Sequence, residues 1–144
     1  MIVNPYQEMI SLHDMRIENI EIEDNTAYIK LNNAYLLGQT DTYILDEPLI
    51  IINDLIDIEA NSDYPIRIRI YDDKNIFAVN ISDFNEYTFD ILEEAYGYGL
   101  VHFFGIATKY QDNKAYDCFL DIHFTGDLEI KWDNKVLLEV LDEF

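Results

Sequence analysis

At 144 residues and 49% hydrophobic composition, the chain has the size of one ordinary domain and enough apolar side chain to bury a core, which excludes a disordered acidic tail. Its charge is the unusual quantity: 29 acidic against 9 basic residues, a formal net of −20. Self-repulsion on that scale destabilises the compact state, and it argues against bare nucleic acid or an anionic membrane as ligand, since both reward Lys and Arg. A basic protein partner is the simplest beneficiary, against a background in which every protein of an acid-rich proteome carries such a charge.

Met1-Ile-Val-Asn-Pro-Tyr6 has neither the basic nor the apolar region of a signal peptide, and the longest apolar stretch, Leu49 to Ile58, is broken by Asn53, Asp54 and Asp57. With one cysteine, Cys118, no internal disulfide can form. These features predict a cytoplasmic protein without a membrane span. Five Gly, three Pro and no linker or repeat predict a single domain over 1–144.

In chain order, Arg16 to Glu23 reads as a strand, Asp24-Asn25 as a turn and Ala27 to Leu31 as the returning strand of a hairpin. Ala34 to Leu37 and Tyr43 to Leu45 are short apolar pieces around Gly38, and Leu49 to Ile58 fits a buried strand or a helix. After Pro65, Ile66, Ile68 and Ile70 alternate with Arg67, Arg69 and Tyr71, the period of a half-buried strand; Asp72 to Asn75 turns, and Ile76 to Ile81 returns. Phe84, Tyr87, Thr88, Ile91, Leu92 and Ala95 then follow helical spacing. Asp83 and Glu86 read as a capping box, and Gly97 or Gly99 as the stop. Leu100 to Thr108, with Gly105 as a bulge, Tyr116 to Phe124 and Leu128 to Trp132 read as an antiparallel meander, and Val136 to Leu141 as a last helical turn or strand. The predicted fold class is α+β: a mostly antiparallel, curved sheet of about six to eight strands with one amphipathic helix, about 83–96, packed on it.

Catalytic patterns are missing. His13, His102 and His123 show no metal-binding spacing, although Asp121 and His123 fit one side of a strand, and neither a metal nor a cofactor is predicted. Cys118 sits in an apolar strand as a small core residue, and Ser11, Ser62 and Ser82 lie in no nucleophile elbow. Among 29 acids, chance carboxylate pairs abound, so no pair points to glycoside hydrolysis. The predicted class is a non-enzyme. The predicted helix places Asp83, Glu86, Asp90, Glu93 and Glu94 on one face, with like charges at i,i+4 and acids at the C-terminal end, where the helix dipole disfavours them. Glu86, Asp90, Glu93 and Glu94 are therefore the predicted partner-binding residues. Arg67 and Arg69 share one strand face and suit internal salt bridges or an anion.

Leu12-His13-Asp14-Met15-Arg16-Ile17-Glu18-Asn19-Ile20-Glu21-Ile22, followed by the Asp24-Asn25 turn and a returning strand, resembles the opening of several small bacterial protein families. These begin with a Leu-His-Asp segment leading into a β-hairpin and include immunity proteins of polymorphic toxin systems. The resemblance covers about twenty residues and contains no catalytic motif. It implies a cytoplasmic protein that neutralises a toxin by tight binding, in agreement with the charge. The competing readings are a nucleic-acid mimic that blocks a DNA-binding enzyme, and a small-ligand domain with Arg67 and Arg69 in a sheet-lined pocket.

Overall fold

A computed structural model describes residues 2–3, 10–38, 40–56 and 66–138. Fourteen strands and one four-residue helix make up the described elements. In chain order the strands are β1 (Ile2–Val3), β2 (Ile10–Ser11), β3 (Arg16–Glu23), β4 (Thr26–Leu31), β5 (Ala34–Leu37), β6 (Thr42–Leu45) and β7 (Leu49–Ile52). They continue with β8 (Ile66–Asp72), β9 (Asn75–Val79), the helix α1 (Ile81–Phe84), β10 (Tyr87–Gly97), β11 (Leu100–Lys109), β12 (Ala115–His123), β13 (Leu128–Lys131) and β14 (Lys135–Leu137).

The antiparallel character and the hairpins β3–β4, β8–β9 and β11–β12 agree with the sequence. The class is corrected from α+β with about six to eight strands to mostly β, and the predicted meander breaks after β12, because β13 pairs with β7 and β1 instead of β12. Ten strands form one sheet in the order β1-β13-β7-β4-β3-β10-β11-β12-β8-β9, and four form a second in the order β14-β6-β5-β2. Alternation decides which face is buried: Ile66, Ile68 and Ile70 on β8, and Cys118, Leu120 and Ile122 on β12, all point inward. They join Ile29, Ile50 and Ile130 from the other half of the large sheet, and Ala34 and Leu45 from the small one, in a single apolar cluster. One face of both halves of the large sheet thus contributes to the same core.

Turn chemistry explains part of the acid excess. Among the described residues, the non-glycine positions at positive φ are Asp14, Asp24, Asn25, Glu47, Asp54, Asp73 and Asn113, while Gly99 is the one glycine there. Asp and Asn tolerate the left-handed region better than other L-residues, so in a chain with five glycines they make the reversals. Asp24 (φ 50°) and Asn25 (φ 62°) form the two-residue turn that pairs Glu23 with Thr26.

The segment predicted as a helix over about 83–96 is corrected. Helix occupies Ile81–Phe84, with Asn80 as N-cap accepting from the Asp83 amide, and the remainder is the long strand β10. The helical spacing arises from a β-bulge. Phe89 and Ile91 face the core, the register against β11 shifts between Ile91 and Glu93, and beyond the extra residue Leu92 the inward positions become Glu94 and Tyr96. A strand that changes parity at a bulge imitates a period of three to four. Leu49–Ile52 is likewise strand and not helix, whereas Asp57-Ile58, Pro65 and residues 139–141 of the predicted last element lie outside the described residues.

The Leu12–Met15 segment docks on that bulge. Asp14 N donates to Ile91 O (2.7 Å) and Ile91 N to Met15 O (2.8 Å), while His13 Nδ1 contacts Leu92 O at 2.6 Å. Leu12 is fully buried. The Leu-His-Asp motif thus fastens the chain entering β3 onto β10.

Candidate functional site: the outward face of β8, β12, β11 and β10

Three cross-strand rows define this face. Register places Arg67 opposite Asp121 and Asp121 opposite His102; Arg69 opposite Phe119, Phe119 opposite Phe104 and Phe104 opposite Glu93; Tyr71 opposite Asp117, Asp117 opposite Ile106, and Ile106 opposite Asp90. Asp90 in turn faces Arg16 of β3. All of these side chains point away from the core, because their chain neighbours, such as Cys118 and Leu120 flanking Phe119, are the buried ones.

A water-facing side of an antiparallel sheet is normally polar. Here its centre is aromatic: Phe119 lies 4.8 Å from Phe104, 5.2 Å from Tyr71 in an edge contact, and 5.7 Å from the His102 ring, centroid to centroid. These rings shield one another and are half-buried. Arg69, Glu93, Asp117 and Asp121 border them. His102 Nδ1 is hydrogen-bonded to the Asp121 carboxylate, which fixes the imidazole beside Phe119. Arg69 forms no ion pair among the described residues.

The four predicted partner-binding acids do not form one face. With β10 a strand, the i,i+4 repulsion argued for a helix disappears, because bulge and pleat separate the groups. Asp90 receives two hydrogen bonds from Arg16, Nε at 2.8 Å and the terminal nitrogen at 3.2 Å, and this pairing raises the guanidinium pKa above its ordinary value. Glu93 is exposed on the outward face beside Phe104. Glu94 turns inward, accepting from Leu12 N (2.6 Å) and Tyr96 OH (3.3 Å). Burial pushes its pKa up, only partly offset by those two hydrogen bonds. Glu86 stands in the turn after α1, where its carbonyl accepts from Tyr110 N at 3.2 Å. Asp90 and Glu93 thus belong to the candidate face, while Glu86 and Glu94 do not.

Arg67 and Arg69 are on this face, as their alternation with Ile66, Ile68 and Ile70 required. Asp121 faces His102 across the ladder instead of joining His123. Among the described residues no three His, Cys, Asp or Glu side chains converge as a metal site. Among the described residues no helix is long and apolar enough to cross a membrane. The aromatic row is what the sequence reading missed. Its signal was present in the alternation His102-Phe103-Phe104 and Cys118-Phe119-Leu120, where apolar residues occupy both faces of a strand.

Cys118 is fully buried, and burial pushes its thiol up to about 12. At neutral pH it is a thiol, and in the folded protein it is expected not to react with iodoacetamide, with one labelled site per chain appearing only in denaturant. Labelling of the native protein at the rate of a free thiol would contradict this burial.

Where β8 and β12 end, the ladder opens. Asp117–Tyr71 is its last pair; beyond it Asp72 pairs with Asn75 of β9, while Ala115 and Tyr116 pair with β11. The separation leaves an open cleft of about 500 Å³ at the end of the aromatic row, lined by residues that include Tyr71, Asp72, Tyr116, Asp117 and Phe119. Arg67 and Arg69 do not line it. Compared with known proteins, the chain matches no family, no curated protein sequence and no solved structure.

Proposed function

We propose that this protein acts by binding, as an immunity- or inhibitor-type protein that neutralises a basic toxin or enzyme, and that it docks through the outward face of β8, β12, β11 and β10. The observation that carries this reading is the aromatic row Tyr71, Phe119, Phe104 and His102 on the water-facing side of a sheet. Exposed apolar patches rimmed by polar groups mark interaction sites, and aromatic and Arg side chains supply most of the energy at such interfaces. The net charge of −20 accelerates encounter with a basic surface, while affinity comes from the rings. Arg67 and Arg69, interleaved with the acids, favour docking on a protein over imitation of a phosphate backbone.

The test uses the full chain and a Phe119→Ala variant as baits in an extract of the source organism. A basic protein held by the first bait and released by the second is then assayed with stoichiometric addition of the chain. The expected results are loss of that protein's activity and an association rate that falls steeply with salt over the physiological range. A captured protein held equally by Phe119→Ala, or one whose activity is untouched by the chain, would sink the proposal.

A further inference from the structure

We infer that the cleft between the diverging ends of β8 and β12 receives an arginine side chain of the basic partner, as the anchor of the docking face; this rests on the reading of that face given above. The cleft has the two components that a planar cation needs. Aromatic residues of both faces of the sheet line it: Tyr71 and Phe119 end the outward row, while Tyr116, on the parity of Cys118 and packed partly against the core, is held edge-on against Tyr87 at 6.4 Å. Carboxylates stand beside the rings: Asp72, Asp73 and Asp117 against the single cation Lys114, an excess of two negative charges (three minus one).

Lys114 itself shows which chemistry the cleft attracts. Its ammonium lies over the Tyr116 ring, 5.4 Å from the centroid, and 4.0 Å from Asp72 Oδ1. Both contacts are long, and the side chain is 60% exposed, so this internal cation occupies the position loosely and is displaceable. A guanidinium suits the space better than an ammonium: it stacks on rings and presents paired N–H donors to a carboxylate, and it is less strongly hydrated. The cleft opens at the end of the aromatic row, so an arginine inserted there lies at the border of the same contact area. Exposed Asp117, placed on the ladder opposite Tyr71, is the carboxylate best positioned to meet it from the face side.

The charge arrangement predicts opposite effects for two exposed positions, neither of which contributes to the core. In a titration of the full chain followed by amide NMR shifts, N-acetyl-arginine amide is expected to move Tyr71 to Asp73 and Ala115 to Asp117, whereas the uncharged isostere N-acetyl-citrulline amide leaves them in place. Asp117→Asn is expected to weaken arginine binding about two- to fivefold, and Lys114→Ala to strengthen it about twofold, the range of exposed ion pairs. N-acetyl-lysine amide is expected to bind more weakly than the arginine probe. The inference is overturned by equal responses to arginine and citrulline, by equal binding of lysine, by shifts spread over the acidic surface without concentration at the cleft, or by Lys114→Ala weakening the complex. Failure here with Phe119→Ala still abolishing capture removes the anchor and leaves the docking face. Success here with capture indifferent to Phe119 removes the docking face instead.

Discussion

Gly105→Ala is expected to destabilise the protein by about 3 kcal/mol or more, at the upper end of overpacking effects. A methyl group on Gly105 would lie 2.0 Å from Asp90 O, 2.9 Å from Asp90 C and 3.0 Å from Phe89 Cζ. The first two are backbone atoms of the neighbouring strand, and they cannot swing aside as a side chain end would. They are also held from the other edge of β10, because Asp90 and Phe89 pair with Arg16 and Ile17 of β3. The bulge at Leu92 presses β10 against β11, and only a residue without a Cβ fits opposite it. Gly97→Ala is the internal control: no atom of the described residues lies within 4 Å of the added Cβ, and its φ is outside the left-handed region. That change is expected to be neutral or to stabilise by about 0.4–1 kcal/mol through the unfolded chain. Urea denaturation midpoints of the two variants measure both effects. A loss below about 1 kcal/mol for Gly105→Ala would mean that β10 relaxes away from β11 and that the bulge is not rigid.

Glu94→Ala is expected to cost about 1–3 kcal/mol, the penalty for leaving the buried Leu12 amide without an acceptor. Glu93→Ala, one residue away on the outward face, is expected to stay within about 0.5 kcal/mol. The pH dependence separates charge from hydrogen bonding. Because the folded protein holds the Glu94 proton more tightly than the unfolded chain, this group's contribution is most favourable below its ordinary pKa of about 4.3. It is lost as pH rises through the raised folded value. Glu94→Gln keeps an acceptor for Leu12 N and removes the titration. Relative to the parent, it is therefore expected to gain stability progressively between about pH 4 and the raised folded pKa, and to hold that gain above it. A stability difference between Glu94→Gln and the parent that is flat with pH would show that Glu94 is solvated in the folded state.

The opposite characters of Glu93 and Glu94 show what the sequence could and could not convey. The hairpin at Asp24-Asn25 and the strand at Ile66 to Tyr71 were legible, because strict alternation and two turn residues are local signals. The segment after Asn80 was not, because the bulge at Leu92 depends on a strand 13 residues away in sequence, where Gly105 makes room for it. Tyr87, Thr88, Phe89 and Ile91 carry the β-branched and aromatic composition of a strand, and the parity change at the bulge hides it behind a helical spacing. The candidate face was half legible: Arg67 and Arg69 were placed on one strand face from their alternation alone. Which neighbours they acquired was a matter of register between distant strands, and that brought Phe119, Phe104 and His102 beside them.

The strand order also sets a timetable for the nascent chain. β7 is flanked in the large sheet by β4, made before it, and by β13, made some 75 residues later. During synthesis its Leu49-Ile-Ile-Ile52 edge, rich in β-branched side chains, therefore waits without its second neighbour while β8 to β12 emerge and fold. Such an edge invites pairing with another copy on the same polysome. Repulsion between the acidic side chains already made by then, among them Glu18, Glu21, Glu23 and Glu47, is expected to keep neighbouring copies apart until Leu128–Lys131 arrives to close the ladder. The charge proposed to steer a basic partner to the finished protein would thus also protect the unfinished one from itself.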